Sequence, residues 1–270
     1  MAGTGGRELT TVAIASGAYL AHESAIHQLD PRTKLIAALM FVLSVALLPE
    51  GSWLGFMILY LGWLLITRLA RVPVGMMWRR SLWAAPFLLA ALALPFSTGG
   101  SPMFQVPLLR WTATDVGLIR AATLVLRTWI SVQGFLLLAA TTTPEELLWS
   151  LQVLRVPALL VTIIGFTYRY LQLLSGEATR MLRARRARSA GGSQPAALRL
   201  QIRSMGSLVG SLFLRALERS ERVYAAMLSR GYSGEIYRLE THDWDHRDIL
   251  SLLVVGVWLV ALVGLTYWGR

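Results

Sequence analysis

The chain has 270 residues, 55% hydrophobic and only 15% charged, with a mean hydropathy of +0.53. Soluble globular chains carry about a quarter charged residues, so this composition excludes that class and points to a polytopic membrane protein. The net charge is +11 with Lys34 as the only lysine, so arginine carries the basicity; there is no cysteine, which excludes disulfides, thiol catalysis and cysteine-ligated metal.

Residues 1–28 are Gly- and Thr-rich, then mildly amphipathic, and are expected to form a cytoplasmic arm. The stretch Thr10–Ala21 is weakly apolar with only Arg7 ahead of it, which does not make a signal peptide. Asp30 is placed to cap a helix whose first turn contains Pro31. Four spans are expected over 29–142: Leu35–Leu48, closed by Pro49; Trp53–Thr67; Leu82–Phe96, with Pro86 and Pro95; and Val116–Ala140, which contains Arg120 and Arg127. The first three are about 14–15 residues, roughly 22 Å of helix against a hydrocarbon layer of about 30 Å, so flanking Ser, Trp and Arg must snorkel or the bilayer must thin. The 49–52 loop has no basic residue, the 68–80 loop has Arg68, Arg71, Arg79 and Arg80, and the 97–115 loop has only Arg110. The positive-inside rule then places the N-terminus, the second loop and the region after the fourth span in the cytoplasm of a multi-pass protein of the inner or plasma membrane.

Thr143 and Glu146 form the pattern of a capping box, with Pro144 at the first helical position and Leu147, Leu148, Leu151 and Leu154 on one face. That helix should stop at Val156-Pro157. Residues 158–188 read as one long helix. Its apolar start could cross the membrane, but crossing would put the arginine cluster outside, so the charge rule favours a helix in or under the interface that runs into the cytosol. Gly191-Gly192 should break it. The next helix should start at Ser193–Pro195 and end at a left-handed Gly231, with Leu198, Ile202, Met205, Val209 and Leu212 as an apolar stripe and Glu218 paired with Arg222. A connector, 232–248, leads to the last span from Ile249, which ends in the aromatic belt Tyr267-Trp268. The fold class is therefore all-α: about five transmembrane helices, with a cytoplasmic helical domain at 143–247 inserted before the final helix at 248–270.

From Glu177 to Gly231 there are eleven Arg against three Glu. Positive-inside charge accounts for part of this excess. In addition, each half closes on a small-Arg-small tripeptide, Ala187-Arg188-Ser189 and Ser229-Arg230-Gly231. Such a tripeptide at a helix end presents one planar guanidinium fork with nothing bulky beside it, which suits an acidic groove on a partner. Ala184-Arg185 is an alternative register for the first.

Other chemistry is thinly represented. There is no P-loop, because Lys34 is followed by Leu35. His22 and His27 are one residue too far apart for the zinc-protease spacing. His242 and His246, at i,i+4 with Asp243 and Asp245 between them, have a metal-compatible spacing that also suits a solvated connector. Neither is taken as a metal site, and no cofactor and no catalytic constellation are expected. Arg127, about 10 residues into the fourth span, is a candidate functional residue, since intramembrane charge is costly; facing other helices and bonding backbone carbonyls is the plainer reading.

Four stretches together resemble a known family: Ala18–Leu35 (A-Y-L-A-H-E-S-A-I-H-Q-L-D-P-R-T-K-L), Thr141–Pro157, Tyr168–Arg188 and Ser211–Tyr232. They are similar to the transmembrane T component of energy-coupling factor (ECF) transporters, within it to the cobalt/nickel-type CbiQ permeases. The resemblance implies a non-catalytic subunit that joins two ABC-type ATPase subunits to a small substrate-binding S membrane protein, within membrane lipid and without nucleic acid, for uptake of a vitamin or a transition metal such as cobalt or nickel. In that family, long helices end in Ala-Arg-Gly-like motifs that dock into the ATPases. By position the implied docking residues are Ala187, Arg188, Ser189, Ser229, Arg230 and Gly231, with Ser189 standing where the pattern has Gly and Ser229 where it has Ala. Two other readings stay open: a self-sufficient permease using Arg127 and the Pro-broken third span, and a scaffold whose basic domain binds anionic partners.

Overall fold

The computed structural model describes residues 24, 26–86, 91, 95, 102–106, 111–189, 198–234 and 246–268. Two compact units result. One combines Ser16–Ser150 with His242–Arg270; the other, over its described residues, comprises 151–189 and 198–234.

In the first unit α1 spans Pro31–Leu47 and α2 spans Trp53–Leu69. The Asp30 carboxylate accepts from the Arg32 N–H at 2.8 Å, so the first turn is capped as the Asp-Pro pair requires. A short helix, α3 (Val74–Ser81), and a 3-10 turn, Leu82–Ala84, follow. The segment 68–80 is therefore not simply a loop. Within α3 Met77 and Ser81 are fully buried, and the Trp78 indole donates to the Tyr60 hydroxyl at 3.0 Å, so tertiary contacts hold a turn-rich stretch as a helix. Most of the expected third span, Leu82–Phe96, lies outside the described residues.

The 97–115 segment also departs from a plain loop. Strands β1 (Pro102–Val106) and β2 (Trp111–Thr114) form an antiparallel hairpin, with Gln105 opposite Thr112 and Val106 opposite Trp111. Short runs of this kind have no helical periodicity, and the pairing partner is what fixes them. The rest of the described fold is helical. Thr114 caps α4 (Asp115–Thr141) by accepting from the Gly117 N–H at 3.3 Å. The capping box then opens α5 (Pro144–Val153): the Thr143 N–H donates to Glu146 Oε2 at 2.9 Å and the Glu146 N–H donates to Thr143 Oγ1 at 3.3 Å. The last helix is α8 (His246–Trp268).

The core of this unit lies where α1, α2, α4 and α8 meet. Val45, Leu59, Trp63 and Leu259 are almost completely buried there, and the Trp63 indole donates to the Gln133 carbonyl at 3.1 Å. Glycines permit the close approaches. A Cβ on Gly134 would lie 2.7 Å from Phe41, and one on Gly62 would lie 2.4 Å from Trp258. The outer faces carry exposed Leu39, Leu43, Leu61, Leu65 and Val257. Helices that are apolar on both faces belong in lipid.

The second unit contains two helices of 32 residues each, α6 (Ala158–Ser189) and α7 (Leu198–Ser229). The breakpoint at Gly191-Gly192 and the start at Ser193–Pro195 lie outside the described residues. By length and composition, Asp115–Thr141, Ala158–Arg188 and Asp248–Trp268 are long and apolar enough to cross a membrane, and Trp53–Leu69 is a shorter apolar helix.

Three helices end in the same way. After α2, the Arg71 N–H reaches the Arg68 carbonyl and the Val72 N–H reaches that of Thr67; after α5, Arg155 reaches Gln152 and Val156 reaches Leu151; after α7, Gly231 reaches Leu228 and Tyr232 reaches Met227. These are Schellman closures with left-handed residues at φ +57°, +68° and +81°. The first two place arginine where glycine is favoured, each within Arg-Val-Pro. The proline two residues on prevents the helix from continuing, and a new helix starts directly after it. The Arg155 closure also ends α5 at Val153, a few residues short of the expected Val156-Pro157.

Candidate functional site

The two small-Arg-small tripeptides fall at the C-terminal ends of α6 and α7. Ala187 and Arg188 are exposed in the last turn of α6, and Ser189 is its final residue. Ser229 closes α7, donating its Oγ to the Ala226 carbonyl at 2.9 Å, and Arg230 follows, with its N–H on the Met227 carbonyl at 3.0 Å. Gly231, at φ +81°, then turns the chain sharply away from the helix axis. The turn leaves the Arg230 guanidinium at the tip with no side chain next to it on the C-terminal side. Among the described residues neither Arg188 nor Arg230 forms an ion pair. Arg185, the alternative register, is only half exposed and already has an interaction of its own.

One carboxylate ties the two long helices together. Glu177 of α6 accepts from Arg180 on its own helix at 2.7 Å and from Arg215 of α7 at 2.8 Å. The expected pair Glu218–Arg222 does not form. Both side chains are exposed, and such a pair gains at most about 1 kcal/mol, less than the rotamer freedom it can remove. Large apolar side chains also remain uncovered. Leu159, Ile163 and Leu171 on α6, and Ile202, Val209 and Phe213 on α7, are all more than half exposed. The Ile202–Met205–Val209 stripe is thus present and faces no described residue of its own unit closely enough to be buried.

In the membrane unit, polar groups gather at the start of α1. Lys34 is 7% exposed, and its Nζ donates to the His27 carbonyl at 2.8 Å and to that of Thr141, the last residue of α4, at 3.3 Å. Asp248, in the first turn of α8, accepts from the Asp30 N–H at 3.0 Å through Oδ1. The Arg32 guanidinium lies 4.1 Å above the Trp149 ring of α5. One cluster therefore fixes the ends of α1, α4, α5 and α8 to each other. Sequence reasoning did not single it out. Its available signal was a lone lysine, next to an Asp-Pro-Arg cap, at the threshold of an apolar run.

Arg127 donates through Nη2 to the Leu48 carbonyl at 2.7 Å, and Leu48 is the C-cap of α1. A cation on orphan carbonyls at a helix C-terminus is favourable in both hydrogen bonding and dipole sign. Arg120, nearer the helix start, pairs with Glu50 at 3.2 Å on the surface. His27 Nδ1 and Ser24 Oγ are 2.7 Å apart; His22 and His242 lie outside the described residues, and His246 is exposed at the start of α8. Among the described residues no three or more His, Cys, Asp or Glu side chains come together to hold a metal.

Apolar helices long enough to cross a membrane and a strongly basic pair of long helices mark a membrane protein. The family model described as "Cobalt transport protein" (CbiQ) matches residues 22–242. The chain is 26% identical over 252 residues, 88% of its length and 93% of the relative's, to the energy-coupling factor transporter transmembrane protein EcfT of Streptococcus thermophilus. It is 34% identical over 193 residues, 70% of each chain, to the cobalt transport protein CbiQ of Rhodobacter capsulatus. It belongs to the EcfT/CbiQ family, the T components of ECF transporters.

Proposed function

We propose that this T component couples two ABC-type ATPase subunits to a substrate-binding S subunit, with Arg188 and Arg230 as the docking residues. The supporting observation is the pair of exposed, unpaired guanidiniums at the tips of two 32-residue helices that Glu177 holds together. Each tip has small residues beside the arginine: Ala187 and Ser189 at the first, Ser229 and Gly231 at the second. Closure of the ATPase pair on ATP moves the two tips, and the uncovered apolar faces of α6 and α7 carry that motion to the S subunit. The subunit itself is non-catalytic. Residues 143–247 form the cytoplasmic or interfacial coupling region, with 1–28, 29–142 and 248–270 as arm, four spans and final span, and the N-terminus is in the cytoplasm. The cargo is a micronutrient chosen by the S subunit. The Rhodobacter relative, named for cobalt transport, favours a transition metal such as cobalt or nickel. Arg127 acts within the membrane by capping α1.

A mild-detergent pull-down of the tagged chain from its native membranes, read by mass spectrometry, is expected to recover one or two ABC-type ATPases and a small membrane protein. Arg188→Glu and Arg230→Glu are each expected to lower ATPase recovery at least about tenfold, as reversal of a buried interfacial charge does. Unchanged recovery and uptake in the double variant would overturn the docking role. Uptake by the purified chain alone in liposomes would overturn the coupling role.

A further inference from the structure

Two turns of this chain hold an arginine where the backbone favours glycine. Arg71, at φ +57°, closes α2, and Arg155, at φ +68°, closes α5; each is followed by Val-Pro. A left-handed backbone crowds any residue that has a Cβ, so glycine at either place would be the less strained choice. Strain held at an exposed turn, and held twice, points to a use for the side chain.

That use is not internal. Both arginines are exposed, and among the described residues neither guanidinium forms an ion pair or a hydrogen bond. Capping of the preceding helix by the side chain therefore does not account for them; the closures use the backbone N–H groups of Arg71 and Arg155 instead. The flanking sequence supplies no counter-charge either, since no Asp or Glu occurs from Gly51 to Thr114 or from Leu147 to Gly176.

Each turn borders an apolar surface. On α2, Leu61, Leu65 and Leu69 are all more than half exposed and lie on one face that runs up to Arg71. That helix has 17 residues, roughly 25 Å, close to the hydrocarbon thickness, so the turn at its end falls at the depth of the headgroups. At the other turn, Leu154, Leu159 and Ile163 are exposed on both sides of Arg155. An acidic groove on a protein matches the charge alone. A lipid headgroup matches the charge and the leucines together, because its phosphate takes the planar fork while its chains cover the apolar side.

We propose that each Arg-Val-Pro turn is a binding site for the phosphate of an anionic phospholipid. The Schellman closure and the proline hold the arginine at the membrane surface, and the flanking leucines sit in the acyl region. The inference concerns lipid alone and does not depend on Arg188 or Arg230 docking an ATPase.

The test is native mass spectrometry of the full chain in detergent micelles, titrated with phosphatidylglycerol or phosphatidylcholine of matched chains. Phosphatidylglycerol is expected to bind about fivefold more tightly at each turn, and less so as salt rises. Arg71→Gly and Arg155→Gly keep the left-handed backbone, so the melting temperature without added lipid should stay unchanged or rise. Each should weaken phosphatidylglycerol about fivefold at one site, and the double variant should lose the preference over phosphatidylcholine. Arg79→Gln, at an exposed arginine outside both turns, should change it less than twofold. Equal binding of the two lipids, or a preference that survives in the double variant, would overturn the sites. So would an equal loss in Arg79→Gln, which would make the attraction a general effect of basic charge. A double variant that keeps the lipid preference but loses ATPase recovery in the pull-down would assign the turns to an acidic protein groove instead.

Discussion

Lys34 illustrates how much of this protein depends on single polar groups placed in an apolar setting. Its ammonium closes two backbone carbonyls and is attracted by three nearby carboxylates, those of Glu146, Asp30 and Asp248. Lys34→Met keeps the length of the side chain but leaves those groups uncompensated. Removing one member of a buried charge cluster costs about 3 kcal/mol or more, so the variant should melt well below the parent in detergent, or fail to accumulate in the membrane. A melting temperature within experimental error of the parent would refute the clamp. Arg127 shows the same logic at the other end of α1, where its guanidinium serves the Leu48 carbonyl. As a residue type in an apolar run it stood out at once; what it bonds could not be read, because the partner lies on a different helix, 79 residues away in sequence.

Among the helices, the ends were the most legible and the lateral contacts the least. Asp30-Pro31, Thr143 with Glu146, and Gly231 each act through backbone groups within a few residues, so sequence spacing alone places them. Contacts between helices follow from where small residues meet large ones. Gly134 of α4 admits the Phe41 ring of α1 so closely that any larger residue must displace it. Gly134→Leu is expected to cost about 1–3 kcal/mol by overpacking, and Phe41→Ala in the same chain should recover part of the loss, since the two changes exchange volume at one contact. Thermal melting of the two single variants and the double variant measures the coupling; strict additivity would place the two residues out of contact. The left-handed arginines, 71 and 155, were not foreseen because arginine carries no such preference. The Val-Pro that follows supplied the only signal.

For the whole molecule, the proposed coupling rests on two long helices kept at a defined separation. Glu177 is the one described ion-pair link between them, through Arg215. The site is exposed on the arginine side, so Glu177→Gln should change stability little. Its effect belongs to the ensemble. The chain has no native cysteine, so spin labels can be attached cleanly through Ala187→Cys and Ser229→Cys. Glu177→Gln should broaden the distance distribution between those labels without lowering the melting temperature. An unchanged distribution would mean that packing between α6 and α7, not the carboxylate, sets the separation of the tips.

The sequence by itself determined the membrane class, the capped helix starts, the two arginine-tipped helices and the family, because hydropathy, capping and local motifs act over a few residues along the chain. The tertiary structure decided what could not be local: α3 and the β1–β2 hairpin within expected loops, a Glu177–Arg215 link between helices where a Glu218–Arg222 pair within one helix was expected, the Lys34 cluster joining α1, α4, α5 and α8, and an apolar cavity beside it. Each of these depends on groups from different elements, and the Lys34 cluster and the cavity on groups that meet where water is excluded. There an unpaired charge or an unfilled space is costly, and only the assembled helices settle which groups meet.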